Sequence, residues 1–432
     1  MKITIFAAGS RGDIQPCLAL AKGLRDAGYR VLLAIPENYA GLAQEHVIEV
    51  APLRGDVQQV MSGELGRNFL EKGGSNPLQS VVAMRRLIGT VAMDMVHDVY
   101  DACAETDGLI CLGVFSPFGV CVAEALRIPL IHIEPTPLLP TARFPAPSWP
   151  IQRGLGGIHN FISGIVMLFT IWLWYKPYVR IFRQELGLID RTAAYFYRML
   201  RSTPMIGAYS PRIIPHPDDW PDSLHITGDL SLRGNVEWKP PVDLRAFLDS
   251  GDPPVYVGFG SMTGIDPKKL GDLLQRALEQ SGQRGLLMTG WSGMKAVSQS
   301  DRIFILEYAP HDWLFPRMAA VVHHGGAGTT AEGVRAGVPS VIIPFAFDQF
   351  FWGARLREMG IGTEPIPRKM LTVDRLANAI KIAVTDPAMR LRAEQCGKAI
   401  RLNDSLANAV NVVRMYFGEP DSERNKLHDR KA

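Results

Sequence analysis

The stretch Val322–Pro339, VHHGGAGTTAEGVRAGVP, decides the fold because it combines a strand end, a glycine turn and a helix start. Thr329 and Thr330 suit the first positions of a helix, and Glu332 complements its positive end. A glycine turn before a helix also exposes several N–H groups to an anion. The stretch therefore predicts a parallel α/β unit whose turn cradles a diphosphate.

The two adjacent histidines of this stretch do not fit a metal site. His323 and His324 point to opposite faces of a strand, and no third ligand is spaced nearby. The Gly-Lys-Ser/Thr ending of a P-loop is missing as well. We therefore expect a phosphate cradle here and no metal.

Strand and helix patterns alternate on both sides of the stretch. ITIFAA, VLLAI, GLICLG and LIHIE are strands of the first half, and VYVGFG, GLLMTG, IFILEY and SVIIPF are strands of the second. We predict an α/β protein of two Rossmann-like domains that face each other across a cleft. The expected parts are an N-terminal domain (1–230) with an apolar helical insertion around 154–200, a linker (231–254), a C-terminal domain (255–418) and a charged tail (419–432).

Composition narrows the functional class of this 432-residue chain. A net charge of +3 gives no field that would favour nucleic acid. Its five cysteines form no Cys-x-x-Cys pair, which predicts buried thiols in a reducing compartment. The N-terminus MKITIFAAGSRGD lacks the apolar region and cleavage site of a signal peptide, so we expect a cytoplasmic protein.

A second glycine-containing turn, AAGSRGDIQP at residues 7–16, follows the first strand. The dinucleotide-binding pattern Gly-x-Gly-x-x-Gly is absent, and Glu37 is a weak match to its ribose-binding acid. Asp13 follows the carboxyl end of the first strand, the edge at which ligands of parallel sheets bind. Its carboxylate either caps the following helix or acts as a general base on a substrate hydroxyl.

Residues 154–175 contain no Asp, Glu, Lys or Arg and are rich in apolar and aromatic side chains. Glycines, Asn160 and Ser163 dilute the first part, which leaves an apolar stretch too short to cross a membrane. Two interpretations stay open: a buried helix, or a helix that lines an apolar pocket or dips into a membrane surface. The flanking Arg153, Lys176, Arg180 and Arg183 suit an interfacial position.

Two motifs resemble a known family. YAPHDWLF at 308–315 together with VVHHGGAGTTAEGVRAGVPSVIIPFAFDQFFW at 321–352 resembles the donor-binding signature of the UDP-glycosyltransferases of the GT-B fold. GSRGDIQP at 9–16 is similar to their bacterial and fungal branch, which includes sterol glucosyltransferases, the enzymes that glycosylate antibiotics and the rhamnolipid enzymes. The combination is nearest to the sterol and lipid glucosyltransferases.

The resemblance implies a role for each donor-binding position. His324 is expected to bond the diphosphate, Glu332 the ribose hydroxyls, and Asp348 and Gln349 the sugar hydroxyls, whereas His323 points into the sheet. Tyr308 stands where plant relatives carry a Trp that stacks on the base, which leaves uracil and thymine open. The expected donor-binding residues are Ser10, Arg11, Gly12, Ser261, Tyr308, Ala309, His311, His324, Gly326, Ala327, Gly328, Thr329, Glu332, Asp348 and Gln349.

The resemblance also implies an inverting transfer of a hexose, expected to be glucose, from a UDP-sugar to a hydroxyl of a hydrophobic acceptor. Sterol, lipid, polyketide and phenolic acceptors stay open, with peripheral membrane contact expected for a lipid. Asp13 is the expected base, since no His stands in the N-terminal turn, and His132 and Glu134 are the alternative. Phe144 and Trp172, with His132 and Glu134, are expected at the acceptor.

No metal or cofactor is expected beyond the UDP-sugar, which is a co-substrate. Two other classes of protein fit a double Rossmann plan. A nucleotide-sugar epimerase would isomerise the donor, and a non-catalytic sugar-nucleotide-binding protein would leave it unchanged.

Overall fold

The structure, a computed structural model, describes residues 1–55, 60, 63, 66, 77–232, 238–259, 267–289 and 299–420. Residues 77–80 and 267 are described by their backbone alone. Ser261, part of the expected linker and residues 421–432 of the expected tail lie outside these ranges.

The N-terminal half is built on a seven-stranded parallel sheet in the order β3-β2-β1-β4-β5-β6-β7. Its strands are almost continuous apolar runs, as expected of strands covered on both faces. The strands are β1 Lys2–Phe6, β2 Arg30–Pro36, β3 Glu49–Leu53, β4 Gly108–Leu112, β5 Leu130–Glu134, β6 Met205–Gly207 and β7 Leu224–Ile226.

The C-terminal half is built on a five-stranded parallel sheet in the order β10-β9-β8-β11-β12. The strands are β8 Val255–Gly258, β9 Gly285–Met288, β10 Ile303–Leu306, β11 Ala320–His323 and β12 Ser340–Ile342. Strand order reverses beside β1 in one sheet and beside β8 in the other. Ligands of such sheets bind beyond the carboxyl ends of the strands at these reversals.

Helices connect the strands and cover the sheets. In the N-terminal half they are α1 Arg11–Asp26, α2 Ala40–Gln44, α3 Pro77–Gly89, α4 Ala92–Ala102, α5 Ser116–Leu126, α6 Gly157–Glu185 and α7 Ala193–Ser202. From there on they are α8 Val242–Asp249, α9 Pro267–Ser281, α10 His311–Leu314, α11 Ala327–Ala336, α12 Gln349–Glu358, α13 Val373–Thr385, α14 Pro387–Arg401 and α15 Ser405–Phe417.

The last helix, α15, crosses back to the N-terminal half. Ala409, Val413 and Phe417 are buried in the core of the N-terminal sheet, and the Tyr29 hydroxyl donates to the Gly418 carbonyl at 2.6 Å. Residues 255–418 were expected to form one domain, but the last helix of this segment packs on the N-terminal half. The reason is that the apolar face of α15 covers α1, which sequence periodicity alone does not specify.

The two halves share one apolar core. Phe144 and Trp220 of the N-terminal half form a cluster with Phe351 and Trp352 of α12. The rings of Phe144 and Phe351 lie 5.4 Å apart. This packing fixes the carboxyl ends of the two sheets opposite each other, so that the cleft has walls from both halves.

Helix α6 corrects the expectation of a short apolar stretch. It is 29 residues long, and its length and composition are sufficient to cross a membrane. Its polar residues do not interrupt it because they are bonded to the preceding loop: the Asn160 amide donates to the Ala142 carbonyl at 2.9 Å, and the Ser163 hydroxyl accepts from the Ala146 N–H at 2.8 Å. Only 22% of its most apolar 18-residue stretch is buried, and the rest is half-buried or exposed.

Candidate functional site in the cleft

The turn after β1 places Asp13 at the wall of the cleft. Oδ2 of Asp13 accepts hydrogen bonds from the Ser10 N–H and from the Ser10 hydroxyl, both at 2.8 Å. Gly9 has φ +124°, and a Cβ there would lie 2.5 Å from the same oxygen. Asp13 therefore does cap the helix, as one interpretation of the sequence held, while its second oxygen is not used by the cap.

Protein surrounds the Asp13 carboxyl and raises its pKa to about 6, against an ordinary value of 3.8. The loss of hydration is the main cause, and the negative charge of Asp348 adds to it, whereas the two bonds from Ser10 act in the opposite direction. A carboxyl with such a pKa is a stronger base than an ordinary aspartate and is still ionised at neutral pH.

Across the cleft, the turn after β11 leads into α11 as the sequence predicts. Gly325 has φ +91°, and a Cβ there would lie 3.0 Å from the Gln349 carbonyl. The helix begins at Ala327 with Gly326 as its N-cap. Its first amides, those of Ala327, Gly328 and Thr329, have no partner within the helix, which is the arrangement that binds anions in proteins.

His324 borders this helix start. Burial lowers its pKa to about 4, so the imidazole is neutral at pH 7, and its Nδ1 is buried without a partner among the described residues. A buried polar atom of this kind is costly unless a ligand completes it. His323 is fully buried, and its Nδ1 accepts from the Gly325 N–H at 3.1 Å, so it supports the turn.

The expected base-binding residues follow β10. Tyr308 is 46% exposed, and the Arg11 guanidinium lies 5.8 Å from its ring centroid, so the two halves meet here as well. Ala309 is buried. His311 stacks on Phe315 with ring centroids 4.3 Å apart, and burial lowers its pKa to about 4.

Asp348 joins the two halves at the other side of the cleft. Its Oδ2 accepts from the Thr136 hydroxyl and from the Trp352 indole N–H, both at 2.9 Å. Burial raises the pKa of Asp348, and both of these bonds lower it. Both of these donors meet Oδ2, and neither uses Oδ1.

Gln349, the neighbour of Asp348, holds the loop itself. Its side-chain carbonyl accepts from the N–H groups of Phe345 and Ala346 at 2.7 and 3.1 Å. This atom therefore shapes the turn that presents Asp348.

Glu332 lies in the second turn of α11. Burial raises its pKa, and the negative charge of Asp229 raises it further. Asp229 itself pairs with Arg335 at 3.2 Å, and both side chains are almost fully buried. Asp229 belongs to the segment that leaves the N-terminal half. The expected ribose-binding position thus lies where the chain passes between the halves.

The alternative bases lie deeper than Asp13. His132 is fully buried, its Nε2 is 3.2 Å from the Ser116 hydroxyl, and burial lowers its pKa to about 4. Glu134 is 4% exposed with Oε1 unpaired in the described part of the chain. Burial raises the pKa of Glu134 well above its usual value, with the charge of Asp13 contributing. Both side chains are more buried than Asp13, which is half-buried.

An apolar cavity of about 140 Å³ opens beside the turn after β1. Met84 and Leu87 of α3, Met95 of α4 and Trp174 and Tyr175 of α6 are among its lining residues. Phe6, the last residue of β1, also lines the cavity, so the cavity lies at the end of the strand that leads into the turn with Asp13. The cavity therefore has apolar walls with a carboxylate nearby.

Two expected acceptor residues lie outside the cavity lining. Phe144 packs between Trp220 and Phe351 in the shared core, and Trp172 stacks on Phe196 with centroids 4.8 Å apart. Both make the contacts of core side chains. The structure brings Trp174 to the cavity instead, because Trp174 and Trp172 lie on different faces of α6.

Sequence reasoning missed Thr136 and Asp229. It also missed the residues of α3 and α4 that line the cavity. Thr136 lies two residues beyond β5, and a polar side chain at a strand end was the available signal for it. The partners of Asp229 depend on how the halves are packed. The helices α3 and α4 lie in a part of the chain that carries no recognisable motif.

Comparison with known proteins finds relatives of both halves of the chain. A model of the glycosyltransferase family 28 N-terminal domain matches residues 3–144, and a model of the erythromycin biosynthesis protein CIII-like C-terminal domain matches residues 292–408. Sterol 3-beta-glucosyltransferase UGT80B1 of Arabidopsis thaliana is 33% identical over 445 residues, which covers 100% of this chain and 71% of that protein.

A sterol 3-beta-glucosyltransferase of Aspergillus clavatus is 33% identical over 431 residues, which covers 96% of this chain and 29% of that protein. Among solved structures, the glycotransferase of kitacinnamycin superposes with a TM-score of 0.72 at 19% identity, over 96% of this chain and 98% of the other. That likeness confirms the predicted two-domain fold.

We expect Gly328→Leu to weaken the binding of UDP by about tenfold or more, since even one lost charge-assisted hydrogen bond costs roughly 1.5–3 kcal/mol. A Cβ at Gly328 meets no atom within 4 Å, so the fold tolerates the change while the side chain covers the helix start. Titration calorimetry measures the affinity. Gly41→Leu in α2, where a Cβ also meets nothing, is the matched control. Equal affinities of Gly328→Leu and wild type would contradict the assignment.

Proposed function

Since the chain belongs to the glycosyltransferase family of the sterol 3-beta-glucosyltransferases, we propose that it moves glucose from UDP-glucose to a sterol hydroxyl with inversion. The observation that carries the proposal is the cleft itself. A diphosphate cradle of the C-terminal half faces a carboxylate and an apolar cavity of the N-terminal half. These are the three parts that a transfer between a nucleotide-sugar and an apolar alcohol requires.

The C-terminal half supplies the groups for the donor. The first amides of α11 and His324 bond the diphosphate, and they stabilise the negative charge that grows as it leaves. These groups make a metal ion unnecessary for that task. Tyr308 meets the uracil, Glu332 the ribose and Oδ1 of Asp348 the glucose.

Asp13 acts as the general base. As the acceptor oxygen forms its bond to the anomeric carbon, the bond from that carbon to the diphosphate oxygen breaks. The hydroxyl proton passes to the Asp13 carboxylate, and UDP leaves with the bonding electrons. A single displacement attacks from the side opposite the leaving group, so an α-linked donor gives a β-glucoside.

The apolar cavity supports a sterol as the acceptor. Its lining consists of apolar and aromatic side chains, as is usual for small-molecule sites. Apolar side chains of α3, α4 and α6 would cover the ring system, and Asp13 would meet the one hydroxyl. The names of the relatives agree with this acceptor class.

Two observations count against the other classes of protein. An epimerase has no use for an apolar cavity beside its sugar site. A protein that only binds the sugar-nucleotide has no need for a base whose pKa lies near neutrality.

The direct test is incubation with radiolabelled UDP-glucose and a panel of sterol, other lipid and phenolic acceptors, followed by chromatography. We expect label in the sterol glucoside. Asp13→Asn should slow transfer by about 10²–10⁴-fold, the usual contribution of a general base. Asp26→Asn, an exposed change on the same helix, should leave the rate unchanged. An isomerised donor, or a donor left intact with every acceptor, would contradict the proposal.

The pH dependence of kcat/KM tests the base separately. Because Asp13 works only when ionised and its pKa is about 6, activity should be full above pH 7 and fall about tenfold per pH unit below 6. Steady-state rates from pH 4 to pH 9 measure this. The residual activity of Asp13→Asn should lack the acid limb, and a limb that persists in this variant would assign it to another group.

A further inference from the structure

A stripe of apolar side chains on and just before α6 is exposed. Ile158, Ile162, Ile165, Val166 and Phe169 follow one another at helical spacing along one face of the helix. Ile151 and Leu155, in the loop before it, are exposed as well. Single exposed apolar residues are ordinary, but seven within 19 residues form a patch that marks an interaction surface.

The opposite face of α6 is fixed to the protein. Tyr175, Val179 and Phe182 are buried in the core of the N-terminal half. Arg183 is fully buried and pairs with Glu124 at 2.9 Å. A helix held in this way presents one side along its length, so it is suited to lie on a surface rather than to pass through one.

Basic side chains border the stripe. Arg153 lies before the helix, Lys176 lies beyond Phe169, and Arg143 lies in the loop that packs on the start of the helix; all three are exposed. They form no ion pair with the described residues. No acidic residue occurs between 154 and 175, and the nearby Asp219 is engaged by the Thr141 hydroxyl and the Ala142 N–H, both at 2.7 Å.

We propose that this stripe, residues 151–169, docks on an anionic phospholipid bilayer with α6 lying in the plane of the interface. The apolar side chains enter the boundary between headgroups and acyl chains, and Arg143, Arg153 and Lys176 meet the lipid phosphates. An exposed apolar face with cationic borders is the pattern of interfacial helices.

The same helix also lines the apolar cavity. Trp174 and Tyr175 lie five and six residues beyond Phe169, which is about 7.5–9 Å along the axis. Docking would therefore bring the cavity close to the bilayer, where an apolar acceptor resides. The proposal that this stripe docks on a bilayer does not depend on the proposed transfer reaction.

The test is flotation of the full chain with vesicles of phosphatidylcholine alone or with added phosphatidylserine. Wild type should float with the anionic vesicles. Ile162→Glu combined with Phe169→Glu should weaken this binding by about tenfold or more, because two apolar side chains no longer leave water. Arg153→Glu combined with Lys176→Glu should abolish the preference for phosphatidylserine. Val242→Glu and Leu402→Glu, at other exposed apolar positions, are the controls.

Circular dichroism establishes that each variant is folded, and light scattering measures its oligomeric state. The proposal is overturned if wild type does not float, or if the Ile162/Phe169 variant floats as wild type does. It is also overturned if wild type is a dimer that this variant converts to monomers, because the stripe then covers a second copy. Transfer to detergent-dispersed sterol should be unchanged in the variant. If neither wild type nor any variant transfers glucose, while flotation is as expected, the proposed function is refuted and the membrane proposal is not.

Discussion

The packing of Phe144 against Phe351 joins the two halves of the molecule, and the site in the cleft depends on it. The N-terminal half contributes Asp13 and the apolar cavity, and the C-terminal half contributes the helix start at Ala327. Neither half holds a complete site. The hydrogen bond from Thr136 to Asp348 continues this contact into the cleft, so the packing that buries apolar surface also positions the two walls of the cleft relative to each other.

Burial also determines the protonation of these groups. It makes Asp13 a better base by removing water from its carboxylate, while the two bonds from Ser10 keep the pKa low enough for ionisation at neutral pH. It keeps His324 uncharged, with an Nδ1 that has no partner among the described residues. A diphosphate bound at α11 would supply the missing partner, so the ligand completes a site whose polar atoms are otherwise costly to bury.

The sequence was most informative where structure is local. The turns at residues 7–16 and 322–339 form as strand, turn and helix, because glycine and helix-start residues specify them within a few positions. Contacts between residues far apart in the chain were not predictable in the same way. Thr136 and Asp348 are 212 positions apart, and α15 covers a sheet formed by the opposite end of the chain.

The sequence also did not predict which face of a helix is buried. The apolar segment that contains Trp172 and Trp174 was correctly expected to be helical, but its composition does not say which indole enters the core. In the structure Trp172 stacks on Phe196 and Trp174 lines the cavity. Phe144 likewise belongs to the shared core, since its neighbours come from both halves. Packing, rather than residue type, decides such assignments.

The central claim is that the cleft supports a single displacement, with Asp13 taking the acceptor proton and α11 receiving the leaving diphosphate. The anomeric configuration of the product tests it most directly, and proton NMR of the purified sterol glucoside measures that configuration. The account predicts the β-anomer from the α-linked donor. An α-linked product would contradict it, because retention requires a second displacement that one base on one side of the sugar does not provide.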